Sequence, residues 1–225
     1  VWQELTTGDE SIIVAVIDEG VKYIHPDLAA NMRVNTKEKK DGTDTDGNGY
    51  VDDIYGYNFK DNGPITWSDE GSSGHATHIA GTIAAVNGNG KGVCGIAGGG
   101  NGLGNGCKIM SCQVFSHGST GSSASFSRAI KYAADNGAVI LQCSWGYVSG
   151  AANPYEWTPQ YGDDDSWQEE NVLEAKALDY FIHNAGSPDG VIEGGIAVFA
   201  GGNEDAPAAG YPGAYKDFVS VAATA

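Results

Sequence analysis

Five short runs of apolar residues punctuate this chain, at 11–18, 108–115, 138–144, 196–200 and 218–222, each bounded by Gly, Asp, Asn or Ser. They are continuous rather than alternating, which suits strands buried on both faces. Between them lie stretches with helical spacing at 75–86, 123–136 and 168–184, with Gly137 and Gly186 placed as residues just past the last two helices. Strand and helix segments in alternation predict an α/β fold, a doubly wound and mostly parallel sheet flanked by helices. In such sheets function collects outside the carboxyl ends of the strands. Asp18 closes the first run, Ser144, Trp145 and Gly146 close the third, and Gly201, Gly202 and Asn203 follow the fourth. These segments are therefore expected to converge on one edge.

Composition narrows the reading. The 225 residues are 41% hydrophobic, within the range of one domain with a sizeable core, and nothing in 1–225 reads as a linker. Glycine, 34 of 225, is at twice the ~7% that is typical, and its lack of any period assigns it to turns and close backbone approaches. A formal charge of -17 repels phosphate backbones and favours cations, so nucleic acid is not an expected partner. No run of 18 apolar residues suggests a membrane span, and the first residues show no signal-peptide pattern. Cys94, Cys107, Cys112 and Cys143 have no zinc-type spacing. They fit buried thiols, and one bridge from Cys94 to Cys107 is also compatible with the sequence.

One acidic cluster has ligand spacing. With Asp44 as position 1, Asp46, Asn48, Tyr50 and Asp52 fall at positions 3, 5, 7 and 9 of a calcium loop, with Gly49 at the turn and Asp53 beside them. Position 12 is Tyr55 instead of Glu, so the segment is a calcium-loop-like turn and not an EF-hand. A structural calcium is expected there in preference to a plain solvated turn.

The strings IIVAVIDEGV (12–21), HATHIAGTIAAV (75–86), LQCSWG (141–146), FAGGN (199–203) and YPGAYKDFVSVAAT (211–224) stand in an order and spacing that resemble the subtilisin-like serine proteases. The resemblance covers nearly the whole chain. It implies that His75 is the general base, that Asp18 orients it, and that Asn203 donates to the oxyanion of the tetrahedral intermediate. It implies that Ser144, Trp145 and Gly146 bind substrate as an added strand. Trp145 has two readings, a wall of an apolar pocket or a core residue. His78 is expected to be a buried structural histidine, and His25, His117 and His183 have no catalytic role. The resemblance also implies a second structural calcium held by Gln3, Asp27 and the loop residues Val86, Asn89 and Val93, in a loop whose length departs from that of well-known members.

Three departures stand out. Glu19 occupies a position where the family has Thr or Ser, and Ala76 one where it has Gly. The third is the nucleophile, which in the family lies in a G-T-S-M-A-like helix start downstream of the VAAT strand. No serine in these residues has that context: Ser72 and Ser73 precede His75, while Ser122, Ser123, Ser125 and Ser127 belong to a helix start. The expectation is a serine endopeptidase whose Ser lies on a downstream C-terminal segment, the 225-residue chain alone being inactive and leaving an apolar surface for that segment to cover. Its partner is then a peptide or protein substrate, and family habit places it outside the cell or in the envelope. The rival reading is a non-catalytic, calcium-stabilised binding scaffold. Residues 147–170 read as a solvated insertion that packs its own aromatics.

Overall fold

The computed structural model describes residues 5–67, 74–116, 119–147, 159–186 and 192–223. Among them, six parallel strands form one sheet: β1 (Ile13–Asp18), β2 (Gly56–Asn58), β3 (Lys108–Gln113), β4 (Ile140–Cys143), β5 (Ile196–Ala200) and β6 (Val219–Val221), in the spatial order β2-β3-β1-β4-β5-β6. The helices are α1 (His75–Ala84), α2 (Ser123–Asp135), α3 (Asp164–Glu170) and α4 (Val172–Asn184). The predicted strands all form, trimmed by one or two residues at their ends.

β1 shows why a continuous apolar run folds this way. Val14 and Val16 point to one face, against Ala76, Ala80 and Ala84 of α1, whereas Ala15 and Ile17 point to the other, against α2 and α4. Both faces are covered, so both sets must be apolar. Alanines every fourth residue let α1 sit close over β1 and β3. On the opposite face Phe126, Ala129 and Ile130 of α2 pack with Leu178 and Phe181 of α4. That face is closed. The α1 face is closed only over β1 and β3: Ile196, Val219 and Val221, held on that side by the strand register, are 45%, 47% and 56% exposed.

Several local features differ from the sequence expectations. β2 is a three-residue edge strand that begins at Gly56, with φ +123°, where a Cβ would lie 2.0 Å from the Ser111 carbonyl oxygen. The helix expected at 168–184 is instead two helices. α3 starts four residues earlier in a capping box between Asp163 and Ser166, and the chain breaks at Asn171, whose amide side chain donates to the Trp167 carbonyl. His78 is exposed, not buried: it lies halfway between Ala76 and Ala80 in sequence and so on the far side of α1 from the alanine stripe. All four cysteines are free, with Cys94 exposed and Cys107, Cys112 and Cys143 buried, so the Cys94–Cys107 bridge does not form. Of the insertion at 147–170, residues 148–158 lie outside the described part. The rest is not a solvated insertion that packs only its own aromatics: Tyr161, edge-on to Tyr147, and the fully buried Trp167, stacked on Tyr211, join the main core.

The core also contains an acid. Glu174, in the first turn of α4, is fully buried, with Oε2 accepting from the Tyr147 hydroxyl at 2.7 Å and Oε1 without a partner. Burial pushes its pKa up to about 7, and the Tyr147 hydrogen bond opposes this. Because the folded value exceeds the unfolded one, this site favours folding fully only at acid pH, and the benefit is lost as pH rises through about 7. Glu174→Gln keeps the shape without the charge. Thermal unfolding at pH 5 and pH 9 should show the variant matching the parent at acid pH and exceeding it by roughly 2–3 kcal/mol at alkaline pH.

Candidate active site

The carboxyl end of β1 is fixed from several sides. The Asp18 carbonyl accepts from the Val114 amide at 2.8 Å, and the Trp145 indole donates to the Ile17 carbonyl at 2.8 Å. The Asp18 carboxylate, only 2% exposed, thus has little freedom. α1 begins at His75, and Lys22 N donating to Thr77 Oγ1 at 3.0 Å ties the segment after β1 to the first turn of that helix. The two constraints bring His75 Nδ1 to 2.9 Å from Asp18 Oδ1. Glu19 N donates to the same oxygen at 2.7 Å.

The chemistry of this pair follows from its geometry. An ionised carboxylate only accepts, so Nδ1 carries the proton and Nε2 is left as the acceptor. The imidazole is 53% exposed, so Nε2 can meet an incoming group. The hydrogen bond from Asp18 raises the His75 pKa above its ordinary value; partial burial opposes the rise, and the charges of Asp18 and Glu19 add to it. The arrangement is an oriented proton acceptor.

The other expected residues lie at the same end of the sheet. Ser144, Trp145 and Gly146 directly follow β4, and the chain there runs beside 210–211, with Tyr147 N donating to the Tyr211 carbonyl at 2.7 Å. Ser144 Oγ accepts from the Gln142 side chain at 2.9 Å. Trp145 is half-buried, stacks on Phe126 at 4.4 Å and stands edge-on to Phe199, and its indole N–H is spent on β1. Asn203 follows β5 and is exposed, and its backbone N–H donates to Glu204 Oε2 at 2.8 Å.

The acidic loop is assembled differently from a simple reading of its spacing. Asp46 and Asp53 converge with Glu38, a residue the motif does not contain, so that one oxygen of each lies within 4.8 Å of the others. Asp44 instead accepts from the amides of Gly47, Asn48 and Gly49, and Asp52 from those of Asp41 and Gly42. Asn48 donates to both Asp46 and Asp53, and the Tyr50 ring packs on Tyr57, Phe59 and Tyr132. Glu38 is 6% exposed and accepts from the amides of Thr45, Asp46 and Asp52. The available signal was an acid interrupting the basic run 37–40. Three converging carboxylates, two buried and that of Asp46 half-buried, are a donor set that suits a hard cation.

At the second expected metal site, Asp27 is buried and its carboxylate accepts from the Asn89 side chain at 2.7 Å and from Val93 N at 2.9 Å, while Val86 N donates to the Asp27 carbonyl. Asp27, Val86, Asn89 and Val93 are therefore neighbours, and Gln3 lies outside the described residues.

Fold, order of elements and the Asp–His pair point to one class of protein, and residues 9–225 match the Subtilase family. The chain belongs to that family. It is 42% identical to subtilisin-like protease 1 of Plasmodium berghei (strain Anka) over 98 residues, which are 42% of this chain and 16% of that protein. It is 33% identical to halolysin of Haloferax mediterranei over 143 residues, 64% of this chain and 22% of the relative. Thermitase of Thermoactinomyces vulgaris is 26% identical over 94% of this chain and 54% of its own length. Among solved structures, the prenylagaramide maturation protease PagA superposes with a TM-score of 0.55 at 23% identity, covering 97% of this chain and 56% of that one. A psychrophilic protease, S41, gives 0.56 at 24%, covering 95% and 53%. The chain thus spans between about an eighth and a little over half of the proteins it matches.

The Asp18–His75 hydrogen bond carries a direct consequence. With Asp18→Asn the imidazole loses its carboxylate partner, and the pH at which His75 gives up its proton, followed by NMR of the ring C–H signals, should fall. The same bond stabilises the fold at pH values below the unfolded imidazole pKa, and that contribution fades as pH rises through the raised folded value.

Proposed function

We propose that this chain is the part of a serine endopeptidase domain that carries the proton acceptor, its orienting acid and the oxyanion donor. The observation that carries the reading is the 2.9 Å contact between His75 Nδ1 and a buried Asp18 that leaves Nε2 open. His75 Nε2 takes the proton of a serine hydroxyl as that oxygen attacks the peptide carbonyl, and later delivers it to the leaving amine. Asp18 holds the tautomer and stabilises the imidazolium. Asn203 supplies a donor to the oxyanion, and 144–146 pairs with the extended substrate backbone.

The serine belongs, in this reading, to a segment of the protein outside these 225 residues, lodged on the bare α1 face of β4, β5 and β6. The exposed Ile196, Val219 and Val221 support it, since a parallel sheet is ordinarily covered on both faces. The relatives supply the context of action: one is named an extracellular serine protease, and among the described residues no helix is long and apolar enough to cross a membrane. We therefore read the substrate as peptide or protein and the setting as extracellular.

A fluorophosphonate probe applied to the intact gene product tests this. Labelling is expected at a serine beyond residue 225, and His75→Ala should cut peptide hydrolysis by a factor of roughly 10⁴ or more. A folded product that neither labels nor cleaves would instead support the scaffold reading.

Calcium, in the same proposal, is structural. Glu38, Asp46 and Asp53 would hold one ion and Asp27 with the 86–93 loop another, neutralising buried carboxylates far from the chemistry. A ligand bound only by the folded state stabilises it by about 2.7 kcal/mol at a hundredfold excess over Kd. Chelation of the intact protein should therefore lower Tm by several degrees, with calcium restoring it. Asp53→Asn should remove only the part of that response that belongs to the Glu38, Asp46 and Asp53 site, and an unchanged Tm on chelation would refute the assignment.

A further inference from the structure

The Asp18–His75 pair has a neighbour without an assigned role. Asp18 Oδ1 accepts two hydrogen bonds, from His75 Nδ1 and from Glu19 N, while Asp18 Oδ2 is buried and has no partner. Glu19 Oε2 is likewise buried and unpartnered. Two carboxyl groups adjacent in the chain each keep one oxygen buried and without a donor among the described residues. A buried carboxylate oxygen without a donor is costly, and what relieves it is a nearby positive charge. The imidazolium form of His75 supplies such a charge.

We propose that Glu19 is a positioning residue of the Asp18–His75 pair, whose carboxylate acts alongside Asp18 to stabilise the imidazolium and so sets the pH window in which His75 is free to accept a proton. The proposal rests on the reading of His75 as the proton acceptor. It has a geometric basis in the shared oxygen: the Glu19 amide is locked to Asp18 Oδ1, so the start of its side chain is held next to the pair whatever the side chain itself does. Among the described residues, Asp18 and Glu19 stand at the end of β1, and the cavity beside the first turn of α1 is lined by the titratable groups Lys22, His25, Asp27, His78 and Cys94. The hydrogen bond to Asp18 raises the His75 pKa most, partial burial opposes the rise, and the charges of Asp18 and Glu19 add to it.

The functional consequence is a trade. A more strongly stabilised imidazolium makes His75 a stronger base toward a hydroxyl, and it also keeps the ring protonated, hence unable to accept, up to a higher pH. Substitution at Glu19 leaves the backbone hydrogen bond to Asp18 in place and removes the charge alone, which separates this role from a structural one.

The test is the His75 titration, followed by NMR in the intact protein with labelled histidine, for the parent, Glu19→Gln, Glu19→Thr and Glu19→Asp. The midpoint should fall by roughly half a pH unit or more in the Gln and Thr variants and return toward the parental value in the Asp variant. The acid limb of kcat/KM should move to lower pH in step. An unchanged midpoint in a folded Gln or Thr variant overturns the proposal, and the Thr variant stands in if the Gln variant fails to fold. Because the titration needs no turnover, the two readings separate. A shifted midpoint in a protein without peptidase activity upholds the role of Glu19 and sinks the peptidase reading. Turnover with neither midpoint nor acid limb displaced does the reverse.

Discussion

β1 is the element on which the rest of the molecule depends. Its residues are buried on both faces, and it lies between β3 and β4 at the place where the strand order reverses, the chain moving to one side through α1 and to the other through α2. That position forces an uninterrupted apolar run up to Ile17. It also forces whatever follows to emerge at the carboxyl edge of the sheet, where Asp18 stands. The strand is held there by contacts from β3 and from Trp145, so the acid that orients His75 is placed by the core itself and not by a loop. Precision at the pair is inherited from packing.

The molecule carries a strongly negative charge yet buries several carboxylates, and it neutralises each in a different way. Asp18 faces an imidazole, Asp27 an amide side chain and a loop N–H, and Glu38 three backbone amides. Asp53, fully buried, accepts from Asn35, Asn48 and Tyr132. Glu174 has only Tyr147. The groups with dipolar or cationic partners keep the company an ionised acid needs, whereas Glu174, with one hydroxyl, is the acid that burial drives toward the neutral form. Local donor supply, not net charge, decides the state of each acid.

How much of this is legible in the chain follows the range of the physics involved. β1, the start of α1, and α2 with its capping box at Ser122 and Gly137 beyond its end are dictated by residues within one turn or one strand of each other, and they appear as expected. Asp18 and His75 likewise fall where the strings around them put them, at the end of β1 and the start of α1. The misses involve partners distant in sequence. β2 exists because Gly56 can lie against Ser111, and the break at Asn171 because its side chain is drawn back to Trp167. Glu38 joins Asp46 and Asp53 only once the loop has folded around it. His78 was misjudged for a different reason: its exposure follows from which stripe of α1 is alanine, a pattern present in the sequence and outweighed by the expectation that a histidine one turn past His75 would be buried.

The uneven covering of the sheet links stability to chemistry. On the α2 and α4 face the large aromatics Trp167, Phe181 and Phe199 are sealed. On the α1 face the cover stops after β1, and the open part begins beside the helix whose first residue is His75. A segment that closed this face would bury the exposed valines and Ile196, and in the same movement would bring its own side chains to the carboxyl edge of the sheet near Nε2. The gain from covering apolar surface, roughly 25 cal/mol for each Å² removed from water, would then fund the placement of a nucleophile. In the proposed reading, folding and assembly of the reactive centre would be one event, because the uncovered part of the sheet and His75 share an edge.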